Sequence, residues 1–115
     1  MKRLFRSIGY AWNGVVYALR ITPNMRIQAV ILCVVVVAGC IVQLSATEWS
    51  LLALCAALVL AAELINTAIE HVVDVISPDY HPVAGRIKDM AAGAVLICAA
   101  TAAGVGALIF LPKWM

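Results

Sequence analysis

Charge is scarce in this 115-residue chain: Asp, Glu, Lys and Arg make up 12% of it, while apolar residues make up 65%. A soluble domain carries roughly 25% charged and 45–50% apolar residues. So little polar surface cannot cover a water-soluble fold, which excludes that class and points to a bilayer. The deficit is also uneven. Ile27 to Thr47 carries no charge and only Gln28 and Gln43 as strongly polar interruptions, and Met90 to Pro112 is uncharged throughout.

Other absences narrow the function. Cys33, Cys40, Cys55 and Cys98 lie in apolar runs, form no CxxC pair, and have no His at zinc-ligand spacing. They read as small buried residues with free thiols, not as a metal or redox site. There is no G-x-x-x-x-G-K-[ST] loop and no kinase-type glycine-rich loop, so any ATP site must use another architecture. Nothing suggests nucleic-acid binding. The short apolar core and small-residue cleavage site of a signal peptide are not evident. No linker, low-complexity tract or repeat divides residues 1–115, which read as one domain.

What the chain does have is long apolar helix. A span needs about 20 apolar residues. Three are expected, at about 26–46, 49–76 and 87–111, the last closed by Pro112. The middle one is apolar from Trp49 to Ala62 and must continue through Glu63 toward Asp74 to cross. Ahead of them, Leu4, Phe5, Ile8, Ala11, Trp12, Val15, Val16 and Leu19 recur at helical spacing beside Lys2, Arg3, Arg6, Asn13 and Arg20. That stripe predicts an amphipathic surface helix over about 1–20, anchored by Trp12 and Tyr17. The expected fold is an all-α integral-membrane bundle of one surface helix and three transmembrane helices. Lys2, Arg3, Arg6, Arg20 and Arg26 precede the first span, and Arg86 and Lys88 lie between the second and third. The positive-inside rule therefore puts the N-terminus and the Ser77–Asp89 loop in the cytosol.

Five of the six acidic residues fall between Ala62 and Met90. Glu63, Asn66, Glu70 and Asp74 share one helix face, within an arc of roughly 80° at about 100° per residue. Glu63 and Glu70 are separated by about 10 Å along the axis, too far to share a proton. At that distance one carboxylate could meet a substrate hydroxyl while the other holds a metal on a phosphate. A carboxylate at a span centre costs about 2.5–3.5 kcal/mol on insertion scales. Interhelical polar contacts average only about 0.6 kcal/mol. Gluing helices together is thus a poor reason to keep several, and function is the better one. Lys88 and Asp89 could neutralise and orient phosphate groups, or could be a snorkelling Lys and a dipole-favoured Asp. His81 could contact a nucleotide. Ala99, Ala103 and Ala107 follow the small-residue spacing that permits close helix packing, so oligomerisation is expected to shape the site.

The run Glu63-Leu-Ile-Asn66-Thr-Ala-Ile-Glu70-His-Val-Val-Asp74 closely resembles the signature of the prokaryotic diacylglycerol kinase family, which includes the undecaprenol kinases. The resemblance continues through Pro78-Asp79-Tyr80-His81-Pro82, Arg86-Ile-Lys88-Asp89 and the N-terminal Gly9-Tyr10-Ala-Trp12-Asn-Gly14 and Pro23-Asn24-Met25-Arg26, and covers nearly the whole chain. It implies a homotrimeric lipid kinase of the bacterial cytoplasmic membrane, with active sites between subunits facing the cytosol. The γ-phosphoryl group of ATP would pass to the primary hydroxyl of a lipid with Mg²⁺. Glu63 would be the general base, supported by Asn66, with Lys88 assisting catalysis. Glu70 would bind metal. Arg3, Tyr10, Glu70, Asp79, Tyr80, His81, Lys88 and Asp89 would contact the nucleotide. Ser7, Tyr10, Trp12, Asn24, Arg26, Gln28 and Glu63 would border the lipid. Thr22 stands where the family usually has a second metal-binding Glu. The Pro78–Pro82 and Ala92-Gly93-Ala94-Val95 segments look more like the undecaprenol branch, and Gly85-Arg86 and Asp89-Met90 more like the diacylglycerol branch; the balance favours undecaprenol. Two rivals are a small proton-coupled transporter and an accessory membrane subunit. Against the transporter stand three spans and carboxylates toward one edge of the membrane rather than its midplane.

Overall fold

A computed structural model describes residues 1–114. They form four helices and no strand: α1 (Lys2–Ile21), α2 (Pro23–Val42), α3 (Ala46–Ile76) and α4 (Pro82–Trp114). The last three are long and apolar enough to cross a membrane. The chain is all-helical with a multi-pass membrane architecture, as the sequence predicts.

α1 keeps Leu4, Phe5, Ile8 and Trp12 exposed, a stripe that none of the described residues covers. Only near its end does it dock, where Ala18 is buried. The α1–α2 junction follows from two residues. Thr22 precedes a proline and is extended, at φ −114° and ψ 110°, as that position favours. Pro23 then opens α2, where its missing N–H is no loss. Arg26 closes the corner: its Nη1 donates to the Leu19 and Arg20 carbonyls at 2.9 and 2.7 Å. Those carbonyls lack helical partners at the end of α1, so the guanidinium acts as a cap.

α2 ends at Gln43, which adopts a left-handed conformation (φ 56°), a common way to stop a helix. Ser45 starts α3 with a capping box. Its Oγ accepts from the Glu48 N–H at 3.1 Å, and Glu48 Oε1 accepts from the Ser45 N–H at 3.0 Å. The hairpin is tight because Gly39 lies under Trp49: a Cβ there would come within 2.6 Å of Trp49 Cη2.

α3 has 31 residues and α4 has 33. At about 1.5 Å per residue each exceeds the roughly 30 Å hydrocarbon core. They pack along each other more extensively than any other pair. Glu48 and Lys113 tie one end of that pair at 3.1 Å, and Asp74 and Lys88 tie the other.

Two details differ from the sequence expectation. Pro82 to Asp89 is helix, so the connection after α3 is only 77–81, and Arg86, Lys88 and Asp89 ride on the first turns of α4. The physical reason is local: the Val83 N–H donates to His81 Nδ1 at 3.1 Å, capping a helix whose first residue is a proline. At the other end α4 runs through Pro112 to Trp114 instead of stopping. A proline in the last turn removes one backbone bond only, and the Lys113–Glu48 pair holds that turn against α3.

The candidate active site on the polar face of α3

Few side chains are buried in this chain, and the deepest is a carboxylate. Glu63 is 2% exposed, and it is the largest fully buried side chain among the described residues. Asn66 and Thr67, on the next turn, are also buried. Helical periodicity puts Glu63, Asn66, Thr67 and Glu70 on adjoining positions of one face, which α3 turns inward.

The hydrogen bonds on this face are incomplete. Asn66 Nδ2 donates to Glu70 Oε1 at 3.2 Å. The Thr67 hydroxyl donates to the Glu63 carbonyl at 2.9 Å. Glu63 Oε1 and Asn66 Oδ1 are buried without a partner. A buried polar atom left unpaired costs about 1–3 kcal/mol, and native structures leave few. Here two converge on one helix face beside a hydrogen-bonded third oxygen. These acceptors suit a hydroxyl proton or a hard cation.

N-terminal to these residues along α3 lies a cavity of about 350 Å³ between α2, α3 and α4, lined by Gln28, Leu32, Cys55, Leu60, Ala103 and Phe110 among others, but not by Glu63, Asn66 or Glu70. Its walls are almost wholly apolar apart from Gln28, whose buried Oε1 has no partner. The small residues Ala99, Ala103 and Gly106 of α4 leave room for it.

At the far end of α3, Asp74 binds Lys88 of α4, a pair with side chains 61% and 39% exposed. The remaining positions are dispersed. Asp79 and Tyr80 are exposed in the 77–81 connection, where the Ser77 hydroxyl donates to the Asp79 carbonyl at 3.1 Å. His81 caps α4 through Nδ1. Asp89 is exposed on α4. On α1, Arg3, Ser7, Tyr10 and Trp12 are exposed; the Ser7 hydroxyl donates back to the Arg3 carbonyl at 3.0 Å. Among the described residues no hydrogen bond or ion pair joins Arg3 or Tyr10 to α3 or α4. Asn24 is exposed, and Arg26 is occupied as the α1 cap. The structure thus gathers Glu63, Asn66 and Glu70, pairs Lys88 with Asp74, and leaves the α1 residues apart.

Two neighbours escape sequence reasoning. Thr67 faces the Thr22 hydroxyl at 3.5 Å, bringing the α1–α2 junction against the polar face. Its signal is in the sequence: it lies four residues after Glu63. His71 Nδ1 lies 3.0 Å from the Thr67 carbonyl, and its ring stands edge-on to Tyr17 of α1 at 6.4 Å between centroids. Nothing in the sequence spacing links Tyr17 to His71.

Among the described residues no three His, Cys, Asp or Glu side chains cluster closely enough to cage a metal. Mg²⁺ does not need such a cage, because it keeps waters and takes one or two carboxylates plus substrate phosphates. Glu70, held by Asn66 beside unpaired oxygens, fits a cation of that kind.

Comparison with known proteins gives the class of this multi-pass helical protein: a lipid kinase. The family profile "Prokaryotic diacylglycerol kinase" matches residues 9–110, and the chain belongs to that family. It is 41% identical over 113 residues to the undecaprenol kinase of Bacillus subtilis (strain 168), covering 98% of this chain and 92% of that protein. It is 43% identical over 110 residues to the diacylglycerol kinase of a Synechocystis species, covering 95% and 63% of the two chains. It is 38% identical over 95 residues to the diacylglycerol kinase of Escherichia coli (strain K12), covering 83% and 78%.

Proposed function

We propose that this chain transfers the γ-phosphoryl group of ATP to the primary hydroxyl of a membrane lipid at the cytosolic face, with undecaprenol the first acceptor and diacylglycerol the second. The observation that carries this reading is the buried, unpartnered Glu63 carboxylate beside Asn66 and Glu70. The lipid hydroxyl lies against Glu63, which takes its proton as the oxygen attacks the γ-phosphorus. The bond from that phosphorus to the ADP oxygen breaks, and ADP leaves. Phosphoryl transfer depends on positioning and charge neutralisation more than on covalent help from the protein.

Each residue has a part in that scheme. Asn66 holds the Glu70 carboxylate by its amide, fixing it on the same face as the base. Glu70 is the chain's carboxylate ligand for Mg²⁺, which when bound supplies charge neutralisation on the phosphates. Lys88 neutralises phosphate oxygens. Arg3, Tyr10, Asp79, Tyr80, His81 and Asp89 border the nucleotide. Ser7, Tyr10, Trp12, Asn24, Arg26 and Gln28 border the lipid. The apolar walls beside Gln28 suit the hydrocarbon part of a lipid. The excess of Lys and Arg ahead of α2 and on the first turns of α4 supports a cytosolic site. The Ala99, Ala103 and Ala107 spacing on α4 permits close helix packing and supports a homotrimer, the assembly the family resemblance implies, in which neighbouring copies complete the site.

The test is transfer of label from γ-labelled ATP by purified protein to a panel of undecaprenol, diacylglycerol and other lipid alcohols. Label in undecaprenol above the others is the expected result. No label in any lipid would overturn the kinase reading, and preference for diacylglycerol would overturn the acceptor.

A further inference from the structure

Thr22 brings the α1–α2 junction against the polar face of α3. Its hydroxyl lies 3.5 Å from that of Thr67. The Thr67 proton is committed to the Glu63 carbonyl at 2.9 Å, so across the 3.5 Å separation it is the Thr22 hydroxyl that has a proton to offer. The order is therefore Thr22 to Thr67 to Glu63. Thr67 lies four residues after Glu63 and three before Glu70, spacings that make side chains neighbours at about 5–6 Å. A residue opposite Thr67 thus faces the stretch of α3 that carries both Glu63 and Glu70.

Thr22 is itself held from both sides. Its N–H donates to the Ala18 carbonyl at 2.9 Å, and Pro23 follows it into α2. The hydroxyl-to-carbonyl bond of a buried Thr bends its helix slightly, so what grips Thr67 also sets the turn that carries Glu63. A neutral hydroxyl, meanwhile, is a far poorer ligand for a hard dication than a carboxylate. Glu70 is then the acidic side chain that helical spacing puts next to Thr67 on its C-terminal side, and among the described residues no acidic cluster compensates.

We propose that Thr22 is a positioning residue for Glu63, acting through Thr67, and not a metal ligand, so that the divalent cation is held here only together with the nucleotide. The inference rests on the lipid-kinase reading above. It implies that the Thr at this position exchanges metal affinity for a neutral tether between the surface helix and the base.

The experiment has two arms. In the first, Mn²⁺ binding to purified, nucleotide-free protein is followed by electron paramagnetic resonance. The wild type is expected to bind weakly. Thr22→Glu and Thr22→Asp are expected to bind about 10–100-fold more tightly, the scale on which metal sites respond to their supporting residues. A non-hydrolysable ATP analogue is expected to bring wild-type binding up. Tight wild-type binding without nucleotide that Thr22→Val abolishes would make Thr22 a ligand and overturn the proposal. No gain in either acidic variant, each retaining the wild-type melting temperature, would remove Thr22 from beside Glu70 and overturn it as well. In the second arm, Thr22→Val is expected to lower kcat about tenfold or more with the KM for ATP little changed, as a displaced base would. Thr22→Ser is expected to recover most of that loss. An unchanged kcat in Thr22→Val would overturn the positioning role. The first arm involves no transfer, so a failure of the kinase reading, seen as no labelled lipid from wild type, is separate from a failure of this one.

Discussion

The ammonium of Lys88, on the second turn of α4, is ion-paired with the carboxylate of Asp74 in the last turn of α3. The pair joins the two longest helices at the end where the 77–81 connection leaves them. Both partners are well exposed, so the pair contributes at most about 1 kcal/mol to stability. Its value lies in where it leaves Lys88.

Lys88→Ala is therefore expected to change the melting temperature little and to lower kcat/KM for ATP by about 10²–10³-fold, the range for losing one preorganised charge-stabilising donor. Asp74→Asn is expected to have a smaller effect in the same direction, because Lys88 keeps its charge and loses only its orientation. Steady-state kinetics with ATP as the varied substrate checks both. A Lys88→Ala enzyme with wild-type kcat/KM would remove Lys88 from the site.

Glu70→Ala is expected to raise the Mg²⁺ concentration needed for half-maximal turnover by about 10–100-fold, on the scale of altered metal sites. It also frees Asn66 Nδ2, whose bond to Glu70 Oε1 is 3.2 Å. A Mg²⁺ titration of turnover at saturating ATP reads this directly. An unchanged Mg²⁺ curve would assign the cation to other groups.

The α2–α3 hairpin makes a prediction about stability alone. Gly39→Ala places a methyl within 2.6 Å of Trp49 Cη2 and within 2.9 Å of Leu44 Cδ1. Overpacking of this kind costs about 1–3 kcal/mol. Thermal unfolding in detergent is expected to show a lowered midpoint. Gly93→Ala, where nothing lies within 4 Å, is expected to show none of that loss.

Much of this architecture is legible in the sequence, because a charge-free apolar run leaves a helix few alternatives in a bilayer. The alignment of Glu63, Asn66 and Glu70 is legible for the same reason: once α3 is a helix, period alone fixes their common face. Helix ends are less legible than helix period: α4 starts at Pro82, ahead of the charge-free run, because His81 caps it. Contacts between elements were not legible. Arg26 caps α1 only because the Thr22 corner turns the chain back on itself, and Thr22 meets Thr67 across 45 residues of sequence. Such pairs depend on crossing angles, which spacing along one helix does not encode.

Glu63 is the residue on which the whole account turns, buried to 2% exposure with one carboxylate oxygen unpaired. Glu63→Gln preserves size and shape and removes the ability to accept a proton. General-base catalysis contributes typically about 10²–10⁴-fold, so transfer of label from γ-labelled ATP to undecaprenol should fall by that factor, with nucleotide binding and the melting temperature retained. Wild-type turnover in Glu63→Gln would contradict the account.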